Sequence, residues 1–166
     1  MLAYLATKDQ FLLDAPTIED KVKNEVKRKL GHNVGDSEYA SWRNSLGNAM
    51  YHAMNTADIP GDAGVAIEYR VNGRAFRIDF MLSGKNSAGK ESLVIIELKQ
   101  WEKTEAGDGD KVVTFVGQRD RDVLHPSVQV GNYRQYLTDQ LEVLHEGNST
   151  IRLSACSYLH NYSLEQ

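Results

Sequence analysis

The sequence is poor in cysteine, in long apolar runs and in net positive charge. Cys156 is the only cysteine among 166 residues, which excludes an internal disulfide and a zinc site built on cysteines. No apolar run reaches the roughly 18 residues of a membrane span, and the first residues lack the apolar region of a signal peptide. We therefore expect a cytoplasmic protein in a reducing compartment, with no membrane partner.

The charge balance is acidic. Nineteen Lys and Arg residues against 23 Asp and Glu give a formal net charge of −4 at pH 7. Proteins that hold nucleic acid do so largely by neutralising phosphates with basic side chains. The balance therefore argues against a domain that grips nucleic acid by charge alone. Such a function would have to be local, assisted by a metal ion or shared with another domain.

The N-terminal residues carry helical patterns. Thr7 and Gln10 have the spacing of a capping box, which predicts a short helix over 8–14. A second helix follows, in which one apolar residue recurs every four positions and Gly31 supplies the stop. The apolar residues of this stripe are Ile18, Val22, Val26 and Leu30.

A third helix is predicted to begin at a cap formed by Asp36 or Ser37 and to extend to about residue 57. The chain thus divides into a helical part, 1–57, and a sheet core, 64–162. Its length fits one domain with room for a core, so we expect both parts to belong to a single domain.

The periodicity changes from helical to two after Gly64, which predicts strands. Residues 65–70 and 76–82 are predicted to pair across a hairpin turn at Asn72 and Gly73. Strict alternation in the second strand places Phe76, Ile78, Phe80 and Leu82 on one face, and Arg77, Asp79 and Met81 on the other.

The remaining segments complete a mixed order of elements. They are a loop over 83–91, a strand over 92–99, a flexible loop over 102–111, a short strand over 112–115, a helix from Pro126 to Leu144 and a β-segment over 151–162. Helices, three strands, a helix and a strand predict an α/β (α+β) domain, with a small mixed sheet flanked by helices.

The stretch SLVIIELKQW (residues 92–101) raises the question of function. Its apolar run is typical of a buried strand, yet it continues into Glu97 and Lys99. Both lie on the face of Leu93 and Ile95, because side chains alternate along a strand. Burial of either charge costs several kcal/mol unless it is paired or coordinates a metal ion.

A metal ion would explain these charges if the strand of Asp79 is the neighbour. The carboxylates of Asp79 and Glu97, with the backbone carbonyl of Leu98, are hard oxygen donors suited to Mg²⁺ or Mn²⁺. Lys99 would then orient or deprotonate a water whose pKa the metal lowers. These are the parts that hydrolysis of a phosphodiester requires.

An Asp on one strand and Glu-x-Lys on the next resemble the motif of the PD-(D/E)XK nuclease superfamily. The proline of the family name is absent, and Ile78 precedes Asp79. Gln129 and Tyr133 look like the Gln-x-x-x-Tyr motif of the RecB-like branch and share one helix face. The resemblance implies a restriction-endonuclease-like core, α-β-β-β-α-β, with a catalytic set of Asp79, Glu97, Lys99, Gln129 and Tyr133.

The whole chain further looks like the nuclease-like N-terminal domain of bacterial proteins that carry a C-terminal Schlafen-like P-loop helicase/ATPase domain. The segments DAGVAIEY, RIDF, VIIELKQW, HPSVQ and YLHNY carry this resemblance. It implies a fragment of a longer chain, with the helicase domain as partner and DNA rather than RNA as substrate. The alternative is a non-catalytic module of the same fold that binds nucleic acid or docks onto the helicase domain.

Several residues keep two interpretations. Glu38 and Glu68 are additional candidate acids, although Glu38 can also stabilise a helix N-terminus and Glu68 can face water. Arg119, Arg121 and His125 are candidate phosphate contacts, with surface ion pairs and a helix cap as alternatives. Residues 84–90 fit G-x-x-x-x-G-K, but Glu91 follows and no helix does, so we interpret them as a hairpin loop.

Overall fold

A five-stranded mixed sheet is the centre of the computed structural model, which describes residues 1–31, 33–71, 77–145 and 150–163. The strands are β1 (Tyr4–Thr7), β2 (Gly64–Arg70), β3 (Arg77–Lys85), β4 (Glu91–Lys99), β5 (Glu105–Ala106), β6 (Lys111–Val116), β7 (Arg119–Leu124) and β8 (Arg152–Leu159). The large sheet has the order β1-β2-β3-β4-β8, and β5-β6-β7 form a second, antiparallel sheet. The mixed α/β prediction is confirmed.

Within the described ranges, four helices accompany the sheets. They are α1 (Lys8–Asp14), α2 (Ile18–Leu30), α3 (36–56) and α4 (Pro126–Gln140), with 3₁₀ turns at Ala15–Thr17 and Glu142–Leu144. β1 to β4 pair antiparallel, whereas β8 lies parallel to β4. The chain between β4 and β8 contains α4, as the parallel pair requires, because such strands need a long crossover. Among the helices of the described residues, none combines the length and the apolar character needed to cross a bilayer.

The predicted helix starts and the stop at Gly31 agree with the structure, with one exception, whereas α4 ends at Gln140 and not at the predicted Leu144. The Thr7 hydroxyl accepts a hydrogen bond from the Gln10 amide at 3.3 Å, and Gly31 ends α2 with a left-handed φ of 69°. The exception is α3, where Gly35 occupies the cap position, so the prediction of a cap at Asp36 or Ser37 was wrong. The middle of α3, Arg43–Met50, is wound as a π-helix.

Two apolar clusters cover the two faces of the large sheet. The helical part of the chain packs on one face, where Phe11, Ile18, Val22, Val26, Trp42, Leu46, Val65, Ile67, Phe80 and Leu98 are buried. On the other face α4 supplies Val130 and Leu137, which pack with Ile78 and Ile95. The central strands are therefore covered on both sides.

The predicted alternation of β3 fails at one point. Phe80 packs under the helical part, but Ile78, predicted on the same face, belongs to the cluster under α4. The neighbouring strand changes faces at the same level, since Ile67 and Tyr69 also separate. Glu68 lies between those two residues with a φ of 57°, and this left-handed backbone breaks the two-residue period.

Three loop predictions also need comment. The hairpin turn at Asn72 and Gly73 lies outside the described residues, as does Phe76. The loop predicted over 83–91 is shorter, because β3 and β4 still pair at Lys85 and Glu91. The flexible loop predicted over 102–111 is wrong in part, since it contains β5. The short strand predicted over 112–115 is present in β6, and β7 was not predicted.

Candidate active site

Three acidic residues lie at one level of three adjacent strands. In β2 and β3, Ile67 pairs with Phe80 and Tyr69 with Ile78, which brings Glu68 level with Asp79. Between β3 and β4, the pair of Phe80 with Ile96 is the last of the ladder, and one step beyond it lie Asp79 and Glu97. The sheet therefore brings together two carboxylates that the sequence predicts as a pair and a third that it offers as an addition.

The Asp79 side chain takes the place of a ladder partner at this point. Its Oδ2 accepts a hydrogen bond from the backbone amide of Leu98 at 3.0 Å. Burial raises the pKa of Asp79, while the Leu98 bond and the nearby Arg77 and Lys99 act in the opposite direction. Asp79 thus lies on a central strand of the sheet, and its side chain is only 18% exposed.

Glu97 is the centre of a second group of contacts. Its Oε1 accepts hydrogen bonds from Lys99 Nζ at 2.6 Å and from Gln129 Nε2 at 2.7 Å. Gln129 Nε2 also donates to the Tyr133 hydroxyl at 2.7 Å. The two residues of α4 share the predicted helix face, and that face meets the end of β4.

The environment of Glu97 disfavours its charged form. Burial raises its pKa to about 7, and the neighbouring Asp79 adds to the shift, whereas Lys99 lowers it. Its second oxygen, Oε2, is buried and makes no hydrogen bond to any described residue. A buried carboxylate oxygen without a partner is costly, and a cation would satisfy it.

Glu68 is the most deeply buried of the three acids, with 1% of its surface exposed. Its Oε1 accepts a hydrogen bond from the Trp42 indole at 2.7 Å. Burial raises its pKa to about 7, against the opposing effects of Arg77 and the Trp42 bond. The interpretation that Glu68 faces water is therefore wrong. A positive φ at a non-glycine residue is uncommon, and such strain often accompanies functional sites.

Arg77 joins the acids, and sequence reasoning did not identify it as a site residue. Its guanidinium lies 2.5 Å from Glu38, 3.1 Å from Glu68 and 3.7 Å from Asp79. Arg70 adds weaker contacts with Glu38 and Glu68, at 3.6 and 3.7 Å. The available signal was its position two residues before Asp79 on the same strand, which places both side chains on one face.

Glu38 reaches the site from α3. Its contact with Arg77 brings it to the border of the cleft, and its side chain is 30% exposed. It lies in the first turn of α3, where an acid also favours the helix dipole. Both interpretations of Glu38 are therefore compatible with its position.

The acids and Lys99 open into one cleft of about 670 Å³. Its walls come from the start of α3, the ends of β2, β3 and β4, the residues after β4 and the tip of β6. Residues that matter below are Glu38, Glu68, Arg77, Asp79, Glu97, Lys99, Gln100, Trp101 and Phe115.

The three predicted phosphate contacts lie elsewhere. Arg119 and Arg121 are exposed on β7, and neither belongs to the described residues that line the cleft. His125 caps α4, because its Nδ1 accepts a hydrogen bond from the Ser127 amide at 3.1 Å. The helix-cap interpretation thus describes His125, and contacts of these side chains with phosphate stay a prediction.

Whether the site could hold a divalent cation depends on the donor atoms that it contains. In the described parts of the chain, no three or more His, Cys, Asp and Glu side chains are grouped so that they could hold a metal ion. Mg²⁺, however, commonly uses only one or two carboxylates and completes its shell with water and substrate phosphate. Asp79, the unpartnered oxygen of Glu97 and the Leu98 carbonyl between Glu97 and Lys99 fit that requirement.

Comparison with known proteins adds no relative. No model of a protein family matches the sequence, and no curated protein and no solved structure matches it either.

Proposed function

We propose that the protein hydrolyses phosphodiester bonds of nucleic acid, with DNA as the preferred substrate and Mg²⁺ or Mn²⁺ as cofactor. The observation that carries the proposal is the group formed by Asp79, Glu97 and Lys99 at the end of buried strands, open to a cleft. Burial raises the pKa of both carboxyls, and the neighbouring Asp79 adds to the shift at Glu97, which is typical of groups that bind a cation or exchange a proton.

We assign each side chain a role that follows from its position in the cleft. Asp79, Glu97 and the Leu98 carbonyl would hold the cation, which supplies a water of lowered pKa and offsets charge on the phosphate. Lys99, fixed at 2.6 Å from Glu97, orients the attacking water from the cleft side. Gln129 holds Glu97 and Tyr133 in place from α4, and Glu38 or Glu68 assists through Arg77.

The proposal includes membership of the PD-(D/E)XK superfamily and its restriction-endonuclease-like core. Three facts support it: β2, β3 and β4 are consecutive antiparallel strands, α4 follows, and β8 returns parallel to β4. The proposed partner is a P-loop helicase domain in a longer chain, for which the sequence resemblance is the support. Unwinding by that domain would deliver strands to the cleft.

The test is cleavage of labelled single- and double-stranded DNA and RNA with Mn²⁺, Mg²⁺ or EDTA. We expect cleavage with either metal ion and none with EDTA. Asp79→Asn and Lys99→Met should each lower the rate about 10²- to 10⁴-fold, as loss of a positioned catalytic group commonly does. Lys85→Met is the matched control, because Lys85 is an exposed lysine that pairs with Glu91 at the far end of β3. Equal rates in Lys99→Met and Lys85→Met would contradict the proposal.

One observation favours the second candidate, a non-catalytic module of the same fold. Lys99 already pairs with Glu97, and Arg77 already pairs with Glu68 and Asp79, so each of these carboxylates has a cationic partner within the chain. A binding module would hold nucleic acid equally well with EDTA and with Mn²⁺, and it would leave every substrate intact. Calorimetric titration with Mn²⁺ separates the two candidates, since only the nuclease needs the ion.

A further inference from the structure

Two aromatic side chains stand where the cleft meets a second cavity. This side cavity, of about 530 Å³, is lined by Gln100, Trp101, Glu102, Lys103, Thr104, Glu105, Val113, Thr114, Phe115 and Asp120. Trp101 and Phe115 line both the cleft and the side cavity. Any ligand that extends from Lys99 into the side cavity therefore passes between or against these two rings.

Phe115 combines a largely exposed ring with a position at the border of the cleft. It projects from β6 with 68% of its surface exposed, although Val112 and Thr114 beside it are buried. A large exposed apolar side chain at the border of a polar cleft is a common mark of a contact surface. Neither Phe115 nor Trp101 makes a ring contact with another described aromatic side chain. The largely exposed Phe115 ring is thus available for a flat ligand, whereas one face of Trp101 lies under the Lys99 ammonium.

The two cavities differ in the charge of the side chains that line them. Lys99 lies at the border, with its ammonium 5.5 Å from the centre of the Trp101 ring. The side cavity beyond is lined by three carboxylate residues, Glu102, Glu105 and Asp120, against one ammonium residue, Lys103, so its lining is acidic in balance. A phosphate is attracted to the first position and repelled from the second. Carboxylates also accept hydrogen bonds, so the side cavity favours a neutral ring that carries N–H donors.

We propose that the side cavity binds one unpaired nucleobase by stacking on Phe115 and Trp101, while the adjoining phosphate lies at Lys99. The inference rests on the proposed function, because it assigns the substrate class of the same site: nucleic acid with at least one unpaired nucleotide. A base within a duplex has both faces covered by its neighbours, whereas an unpaired base can stack on aromatic side chains. Stacking also accounts for affinity in a chain whose net charge is negative.

The test measures binding separately from cleavage. Fluorescence anisotropy with Ca²⁺ compares a labelled oligothymidylate of twelve residues with the same oligonucleotide made abasic throughout. Phe115→Ala should weaken binding of the oligothymidylate about tenfold, in line with the loss of one stacked base. It should leave binding of the abasic strand unchanged, and Phe115→Tyr should retain the wild-type values for both. Since Phe115 is exposed, its replacement removes little packing from the fold.

Leu13→Ala serves as the control, because Leu13 is an equally exposed apolar residue, at 75%, on α1. An equal loss for both oligonucleotides in Phe115→Ala, or no loss for either, would overturn the inference. So would a wild type that binds the two strands alike. Cleavage of oligothymidylate with Mn²⁺, unchanged in Phe115→Ala, would leave the nuclease standing without this base site. Base-dependent binding without any cleavage would retain the base site and refute the nuclease.

Discussion

At the scale of single residues, Glu68 is held in a backbone conformation and a buried environment that a glutamate does not favour. A carboxyl with 1% exposure, a left-handed φ and a pKa of about 7 is unfavourable for folding in its charged form. Trp42 and Arg77 offset part of this cost. Strain of this kind persists where the surrounding structure holds it in place, which here is a centre shared by three strands.

Glu68 makes the stability depend on pH in a defined direction. Its pKa is about 7 in the folded protein against an ordinary value of 4.5, so the folded protein binds the extra proton between these values. The associated stability is fully present below pH 4.5 and is lost as the pH rises through about 7. Relative to Glu68→Gln, the wild type should lose on the order of 3 kcal/mol of unfolding free energy over this range.

Urea denaturation from pH 4.5 to 8 measures this difference. Glu142→Gln is the control, because Glu142 is an exposed glutamate, and its profile should run parallel to that of the wild type. A Glu68→Gln profile that also runs parallel would mean that burial does not shift the proton affinity of Glu68.

At the scale of elements, α4 is the helix that connects the site to the rest of the chain. Its residues Gln129 and Gln135 each donate one hydrogen bond to a carboxylate. Gln129 reaches the buried Glu97, whereas Gln135 reaches Asp139 on the exposed surface of the same helix. The pair therefore allows a contact with the proposed site to be compared with a contact on the exposed helix surface.

Replacing Gln129 should affect metal binding and cleavage together. Without its amide, Glu97 loses a fixed orientation, and loss of such a supporting bond typically costs 10- to 100-fold in metal affinity or activity. We expect this decrease for Gln129→Ala in Mn²⁺ titration and in the cleavage rate. Gln135→Ala should leave both unchanged, since alanine is well tolerated in a helix and the lost bond is exposed. A similar decrease in both variants would point to general damage to α4.

The sequence predicted elements whose signals are local. The four-residue repeat of α2 and its stop at Gly31 were read correctly, and so were the beginning of α4 at Pro126 and the return strand β8. The pairing of Asp79 with Glu97 followed from two strand patterns and a short connection. These features depend on neighbours within a few positions, which a single sequence displays.

Other features depend on contacts between distant residues and were missed. The switch of faces between Ile67 and Tyr69 follows from the φ of Glu68, and nothing in a Val-Ala-Ile-Glu-Tyr strand announces a left-handed residue. β7 reads Arg-Asp-Arg-Asp, a pattern typical of a solvated loop, and it forms a strand because β6 pairs with it. Arg77 was passed over because its three acidic partners come from α3, β2 and β3.

At the scale of the whole molecule, the cleft lies between two sheets that differ in the amount of apolar packing that covers them. The large sheet is covered by apolar clusters on both faces. In the small sheet, the buried residues among those described are Val112 and Thr114 alone. The carboxylates and Lys99 belong to the large sheet, and Phe115 to the small one. The residues of the proposed chemistry thus lie on the well-packed sheet, whereas Phe115, the proposed base contact, lies on the sheet with few buried residues.

This difference should appear in hydrogen exchange of the whole 166-residue chain. Few buried apolar contacts permit local opening without global unfolding. We expect the amides of β6 and β7 to exchange at least about tenfold faster than those of β3 and β4, which are the internal reference. Exchange in β6 and β7 should also be insensitive to low urea, because local opening exposes little surface. Equal rates in both sheets, with the same urea dependence, would mean that they unfold as one unit. Phe115 would then stand on a fixed wall, and substrates would have to fit the side cavity as it is.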